Sequence, residues 1–96
     1  MLVLVTYDVN TQDKAGRGRL SKVAKECTKY GQRVQDSVFE CDIDSEQYVR
    51  LKAKLQSIMN KEVDSIRFYN LGNHFDHKVE HYGKQNAFEA ESVLIL

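Results

Sequence analysis

An aspartate at the end of an unbroken apolar run is the residue best placed to do chemistry in this sequence. The first five residues are all apolar, and Tyr7 and Asp8 follow closely. A short run that is apolar on both faces predicts a strand in the middle of a sheet. A carboxylate at the carboxyl end of such a strand is well placed to be a metal ligand or a general base. The alternative is that Asp8 only starts a turn or caps the next helix.

Positive charge is concentrated just after this aspartate. Residues 14–33 contain seven Lys or Arg and one acid, Glu26, although the whole chain has 14 basic and 14 acidic residues. The chain as a whole lacks the basic excess of many nucleic-acid-binding proteins, but this segment could bind phosphates beside Asp8. The alternative is an ordinary solvated helix face. The basic residues considered as nucleic-acid ligands are Lys14, Arg17, Arg19, Lys22, Lys25 and Lys29.

The histidines and cysteines give only weak signals for a metal site. Residues 74–81 contain three histidines and Asp76. Their spacing permits zinc ligation, but no further residue completes such a site. Cys27 and Cys41 are far apart in sequence and form no metal-type pair, so we interpret both as reduced thiols. Cys27 lies on an apolar helix stripe and is expected in the core.

The elements that must position Asp8 alternate between helical and strand patterns. Residues 10–18 are expected to be a flexible loop, followed by an apolar helical stripe that ends at Gly31 in a left-handed C-cap. Segment 32–43 is rich in β-forming residues and is either one bent strand or two short ones. A capping pair at Asp44 opens a second helical stripe. Further strands are predicted at residues 64–71 and, more briefly, at 79–82.

If segment 32–43 forms two strands, the order is the βαββαβ pattern of the α+β ferredoxin-like fold. This fold has a four-stranded antiparallel sheet with both helices on one face. The other face, expected to carry Val and Phe, would be covered most simply by a second copy, which predicts a homodimer. The segment at residues 92–96, which is apolar from Val93 to Leu96, predicts an extra strand. We therefore expect one domain over residues 1–96, with residues 84–96 as a tail for dimer or partner docking.

The sequence predicts no membrane association. The longest apolar run is the five residues at the N-terminus, whereas a membrane span needs about 20. No basic segment precedes this run and no small-residue cleavage site follows it, so a secretory signal is not expected. These features predict a cytoplasmic protein.

Two longer segments carry a resemblance to a known family. These are residues 31–40 (GQRVQDSVFE) and 64–72 (DSIRFYNLG), together with the N-terminal strand and its Tyr7-Asp8 end. They resemble the CRISPR-associated protein two family, the small endonucleases of the spacer-adaptation module. The resemblance extends from residue 1 to about residue 83. Residues 77–81 (HKVEH) and the apolar tail are similar to the subset found with type I-C systems.

The resemblance implies a function and a set of site residues. It implies a homodimer in which the two copies of Asp8 hold one divalent metal, Mg²⁺, with Mn²⁺ as a possible substitute. Family members are metal-dependent endonucleases on single-stranded RNA or double-stranded DNA, and their dimer bridges the integrase subunits during spacer acquisition. By position, the resemblance makes Asp8 the metal ligand and Tyr7 its neighbour. It also matches Arg33 and Phe39 to family positions that are tied to activity. Arg17 and Arg19 lie in the loop in which the family carries basic residues.

Each supporting residue also has a structural interpretation. Phe39 could be a core residue rather than a platform for a base, Arg33 could extend along a strand end, and Tyr7 could be a packed strand residue. Two functions remain open: a metal-dependent nuclease, which requires Asp8, and a non-catalytic DNA-binding scaffold, which requires only the basic face and the tail. A small metabolite-binding regulatory domain is a third class, but no glycine-rich phosphate loop supports it. The sequence leaves the choice between RNA and DNA open.

Overall fold

The computed structural model describes residues 1–84 and contains the predicted order of strands and helices. Segment 32–43 forms two strands, which confirms the βαββαβ order. The predicted strand at residues 92–96 lies outside the described residues. No helix within residues 1–84 is long and apolar enough to cross a membrane. In chain order, the elements are β1 (Leu2–Asp8), α1 (Lys14–Thr28), β2 (Gln32–Gln35), β3 (Val38–Asp42), α2 (Ser45–Ile58) and β4 (Ser65–Asn70).

The N-terminal run forms an interior strand, as predicted. The four strands are antiparallel and lie in the order β2-β3-β1-β4. Pairing of β1 with β4 puts Asp8, the last residue of β1, opposite Ser65. On the other side, β2 pairs with β3 so that Arg33 is opposite Phe39, and the register shifts between Arg33 and Gln35. This shift is a bulge in an edge strand, a common place for one.

Both helices pack on one face of the sheet, here called the helix face. Side chains of a strand alternate between the two faces, and on β1 the residues that face the helices are Val3, Val5 and Tyr7. All three are buried in the hydrophobic core. The core is completed by buried residues of the neighbouring strand and both helices, among them Phe39, Cys41, Val23, Cys27, Leu51 and Leu55.

The opposite side of the sheet, which neither helix covers, is here called the open face. It carries residues that alternate with those of the core: Leu4, Thr6 and Asp8 of β1, with Val38, Arg67 and Tyr69 of the strands beside it. The expectation that phenylalanine lies on this face was wrong. Phe39 and Phe68 both lie opposite Val5 in the register and therefore project toward the helices.

Helix α1 begins earlier than the two glycines of its first turns suggested. Residues 10–18 were expected to be a loop, but the helix starts at Lys14. The Asp13 carboxylate caps it by accepting a hydrogen bond from the Gly16 amide at 2.8 Å. A side chain at Gly16 would place its Cβ 1.8 Å from the Asn10 carbonyl oxygen, so this glycine permits close contact between the helix and the preceding loop.

Two other local predictions were wrong. Gly31 is not in the left-handed region, and α1 ends at a right-handed C-cap residue, Lys29. Gly31 is instead needed for space, because a Cβ there would lie 2.2 Å from the Glu40 carbonyl oxygen. The predicted short strand at residues 79–82 does not form, and β4 is the last strand within the described residues.

The predicted capping pair of α2 is confirmed. The Asp44 carboxylate accepts a hydrogen bond from the Gln47 amide at 2.7 Å, and the Gln47 side chain accepts one from the Asp44 amide at 3.0 Å.

Candidate functional site

Asp8 presents a carboxylate at the end of the central strand. Its side chain is exposed, and within residues 1–84 it makes no hydrogen bond or ion pair. Magnesium prefers oxygen ligands and keeps several of its waters, so one carboxylate with two open oxygens fits the role of a ligand. The part of the chain described here contains no group of three or more metal-ligating side chains. Within these residues, one copy therefore offers Asp8 as a single candidate ligand at this place.

Arg67 is the cationic side chain nearest to Asp8 in the sheet register. Asp8 pairs with Ser65, and Arg67 lies two residues farther along β4 on the same open face. Diagonal neighbours of this kind are within reach of a long side chain. Arg67 is exposed and its guanidinium donates a hydrogen bond to the Tyr69 hydroxyl at 3.1 Å. Sequence reasoning missed Arg67, although its alternation within the predicted strand at residues 64–71 was a usable signal.

The structure separates Tyr7, Arg33 and Phe39 from Asp8. These three residues lie on the helix face, where Tyr7 and Phe39 stack with ring centroids 6.2 Å apart and the Arg33 guanidinium lies 5.3 Å from the Phe39 ring. Asp8 projects to the other side of the sheet. Within one chain, the four residues that the resemblance ties to activity therefore lie in two separate groups on opposite faces of the sheet.

Burial limits the chemical roles that Tyr7 and Phe39 can take. Phe39 is fully buried, so the interpretation of it as a core residue is confirmed. Tyr7 is a packed strand residue whose hydroxyl donates to the Asp36 carbonyl oxygen at 3.4 Å. Burial raises the pKa of Tyr7, and Arg33 partly opposes that rise. Tyr7 is therefore a hydrogen-bond donor at neutral pH, and its catalytic role remains a prediction.

Arg19 is occupied by a structural partner, whereas Arg17 is not. Arg19 donates from Nε to Asp64 Oδ2 at 2.8 Å and from Nη2 to Oδ1 at 3.3 Å. The Asp64 side chain is fully buried, and it also accepts hydrogen bonds from the amides of Asn10 and Asn60. The hydrogen bond from Arg19, with help from the two amides, lowers the pKa of Asp64 to about 2. Arg17 is exposed and donates one long bond, 3.5 Å, to the Thr11 carbonyl oxygen.

Two lysines of α1 and its C-cap lysine line a groove of about 490 Å³ between the two helices. Lys22, Lys25 and Lys29 lie along it, and α2 adds Lys54, which sequence reasoning missed. Lys29 is paired with Glu26 at 3.0 Å, while none of the ion pairs within residues 1–84 involves the other three lysines. Lys14 is exposed at the first residue of α1 and does not line this groove. The result is a positive surface on the side of the molecule opposite Asp8.

The remaining candidate ligands are not arranged for metal binding or nucleophilic chemistry. The three histidines of residues 74–81 are exposed, and no zinc-type cluster occurs among the residues described. Cys27 and Cys41 are free, buried thiols. Burial raises the pKa of Cys27 to about 12 and that of Cys41 to about 11. Both are protonated at neutral pH. The complete burial of Cys27 in the hydrophobic core confirms that it is a core residue.

Comparisons with known proteins agree with this architecture over nearly its whole length. The family model described as CRISPR associated protein Cas2 matches residues 1–79. A Chlorobaculum tepidum protein named CRISPR-associated endoribonuclease Cas2 is 54% identical over 96 residues, covering 100% of both chains. The Halalkalibacterium halodurans protein named CRISPR-associated endonuclease Cas2 is 54% identical over 95 residues, covering 99% of both. The crystal structure of Streptococcus pyogenes Cas2 at pH 6.5 matches with a TM-score of 0.76 and 54% identity, covering 86% of this chain and 100% of that one.

Proposed function

The chain belongs to the CRISPR associated protein Cas2 family, and we propose that it is a metal-dependent endonuclease whose site is built around Asp8. The observation that carries this proposal is the free, exposed Asp8 carboxylate at the end of an interior strand. The names of the relatives support a nuclease role. One is named an endoribonuclease and another an endonuclease, so single-stranded RNA and double-stranded DNA are both candidate substrates.

A complete site requires two copies of the chain. One copy supplies a single carboxylate, and the open face leaves Leu4, Thr6 and Val38 half-buried beside Asp8. Covering this face with a second copy would bury these residues further and would bring in the second Asp8. We propose a homodimer on this basis, with the tail at residues 84–96 as an additional docking segment.

The residues at the open face fit a phosphodiester substrate. A bound Mg²⁺ or Mn²⁺ would supply Lewis-acid polarisation of the phosphate. The Asp8 carboxylates would hold the ion through oxygen ligands, which is the donor set that both metals accept. The Arg67 guanidinium, on the same face, would donate hydrogen bonds to phosphate oxygens and offset negative charge as it develops in the transition state.

A second candidate function is a non-catalytic DNA-binding scaffold that bridges the integrase in the adaptation complex. The groove between α1 and α2 favours it, because three lysines without acidic partners in residues 1–84 converge there from two helices. Lysines in such a groove would bind the phosphates of DNA without sequence specificity. This function needs no Asp8. The type I-C assignment rests on the HKVEH stretch and the tail and stays a prediction.

A cleavage assay separates the two functions. Matched single-stranded RNA and duplex DNA would be incubated with wild type and with Asp8→Asn, with and without Mg²⁺. Asp42→Asn is the control, because Asp42 is also an exposed last residue of its strand and shares the open face through its pairing with Leu2. Unlike Asp8, Asp42 has an ion pair, a 3.6 Å contact with the N-terminal ammonium. The nuclease proposal expects Mg²⁺-dependent cleavage by wild type and Asp42→Asn and none by Asp8→Asn. Nucleic-acid binding that persists without any cleavage in all three proteins would favour the scaffold.

A further inference from the structure

The guanidinium of Arg67 has two polar side chains within reach on the open face. In the register between β1 and β4, Asp8 is opposite Ser65, two residues before Arg67, and Tyr69 lies two residues after Arg67 on the same strand. Residues two positions apart on one face, along a strand or diagonally across a strand pair, are close enough for a long side chain to bridge. Arg67 can therefore contact either the Asp8 carboxylate or the Tyr69 hydroxyl.

The structure shows Arg67 bound to Tyr69. Its Nη1 donates a hydrogen bond to the Tyr69 hydroxyl at 3.1 Å, and its guanidinium carbon lies 6.0 Å from the centroid of the tyrosine ring. None of the ion pairs within residues 1–84 involves Arg67 or Asp8. Opposite charges favour a contact between these two residues, so a contact with a neutral hydroxyl in its place has a consequence for Asp8.

We propose that Tyr69 is a positioning residue that holds Arg67 away from Asp8 and so keeps the Asp8 carboxylate free for the metal. The proposal rests on the proposed function in that Asp8 is taken as the metal ligand. A carboxylate uses the same oxygens to bind a divalent ion and to pair with a guanidinium. An Arg67 side chain bound to Asp8 would therefore compete with the metal.

The contact with Tyr69 restrains the arginine without neutralising it. A guanidinium has five N–H donors, and within residues 1–84 Arg67 makes one hydrogen bond with its side chain. The remaining donors stay available for the phosphate oxygens of a substrate. A carboxylate in the place of the tyrosine hydroxyl would instead cancel the charge that Arg67 brings to the site.

Removal of the Tyr69 hydroxyl should weaken metal binding by a modest factor. Tyr69→Phe keeps the ring and removes the oxygen that accepts from Arg67. Because an ion pair between exposed side chains is weak, we expect the dissociation constant for Mn²⁺ to rise about twofold to fivefold. Loss of the free Mn²⁺ signal in electron paramagnetic resonance measures this binding without any cleavage. Tyr82→Phe is the control and should leave the constant unchanged, because Tyr82 is exposed and its hydroxyl donates to Glu80.

A second substitution separates positioning from general damage to the site. Arg67→Gln removes the competing cation. In that background, Tyr69→Phe should have no further effect on Mn²⁺ affinity, since no guanidinium remains to reach Asp8. The proposal is overturned if Tyr69→Phe weakens Mn²⁺ binding equally with and without Arg67. It is also overturned if Tyr69→Phe leaves Mn²⁺ binding unchanged while Arg67 is present.

The Arg67 side chain reports the same choice in the absence of metal. In nitrogen-detected NMR spectra of the full chain, its Nε signal should stay unchanged on Asp8→Asn when Tyr69 is present. In the Tyr69→Phe background, the same signal should shift on Asp8→Asn. A shift already in the presence of Tyr69, or a shift in neither background, would contradict the proposal. If wild type binds no Mn²⁺, the metal site of the proposed function fails, and the NMR comparison still decides where Arg67 binds.

Discussion

Arg19 and Asp64 form a bidentate ion pair that joins α1 to the start of β4 across 45 positions of sequence. The Asp64 carboxylate also accepts hydrogen bonds from the backbone amides of Asn10 and Asn60, at 3.0 and 2.9 Å. Asn10 lies two residues after Asp8, so this buried carboxylate fixes the loop that leaves the candidate metal ligand. Arg19 therefore has a structural role next to the candidate site. Of the two arginines near the start of α1, Arg17 is the one whose side chain is available to a ligand.

Loss of the Asp64 charge should destabilise the fold. Asp64→Asn leaves Arg19 without its counter-charge and weakens the hydrogen bonds to three chain segments, and breaking a buried pair in this way is strongly unfavourable. We expect the melting temperature to fall by more than about 5 °C. Thermal unfolding followed by circular dichroism measures this change. Asp76→Asn, an exposed aspartate elsewhere, is the control and should leave the melting temperature unchanged.

The same pair makes stability depend on pH in the acid range. The pKa of Asp64 is about 2 in the folded protein and 3.8 in its ordinary state, so the unfolded chain takes up the proton at the higher pH. The stability that Asp64 contributes is therefore complete above about pH 4 and is lost as the pH falls toward 2. Wild type and Asp64→Asn should converge in melting temperature over that window. A difference that stays constant from pH 5 to pH 2 would contradict the role assigned to the pair.

Lysines from both helices should contribute to nucleic-acid binding. Replacing Lys22, Lys25 and Lys54 by Gln is expected to weaken binding of duplex DNA and to reduce the slope of log affinity against log salt by about 0.9 for each phosphate that is no longer neutralised. Lys29→Gln should have a smaller effect, because Lys29 is already paired with Glu26. Fluorescence anisotropy at several salt concentrations measures these slopes. An unchanged slope in the triple variant would place the DNA away from this groove.

The two cysteines should be inert in the folded protein. Burial raises the pKa of Cys27 and Cys41 to about 12 and about 11, so almost no thiolate is present at neutral pH. We expect a thiol reagent such as Ellman's reagent to react with neither cysteine in buffer and with both after denaturation in guanidinium chloride. Rapid reaction of either thiol in the native protein would show that the core around α1 opens readily.

Local patterns in the sequence predicted most of the fold. The apolar run predicted β1 with Asp8 at its end, and the Asp44 and Gln47 pair predicted the start of α2. The start of α1 was predicted wrongly, because glycines in residues 10–18 were taken to indicate a loop. The sequence alone does not show that Gly16 is a glycine because the helix packs closely against Asn10. Strand alternation alone implies that Tyr7 and Asp8 face opposite ways, but only the packing of the helices shows which of them is buried.

Long-range pairing explains why the rest of the site could not be predicted. The partner of Arg19 is 45 residues away, and the addition of Lys54 to the lysine groove depends on how α1 and α2 pack. The contact of Arg33 with Phe39 depends on the register beside the bulge in β2. These relationships are set by tertiary structure, and a single sequence carries no direct signal for them.

Mixed dimers that pair one wild-type chain with one Asp8→Asn chain test the central claim most directly. A shared site in such a dimer would have one carboxylate where wild type has two. The two chains would be given different affinity tags, the mixed species purified, and cleavage measured with Mg²⁺ against both parent proteins at equal dimer concentration. The account predicts activity well below half that of wild type, because one Asp8 alone holds the metal poorly. Activity of half the wild-type value would contradict it, since each Asp8 would then act in a site of its own.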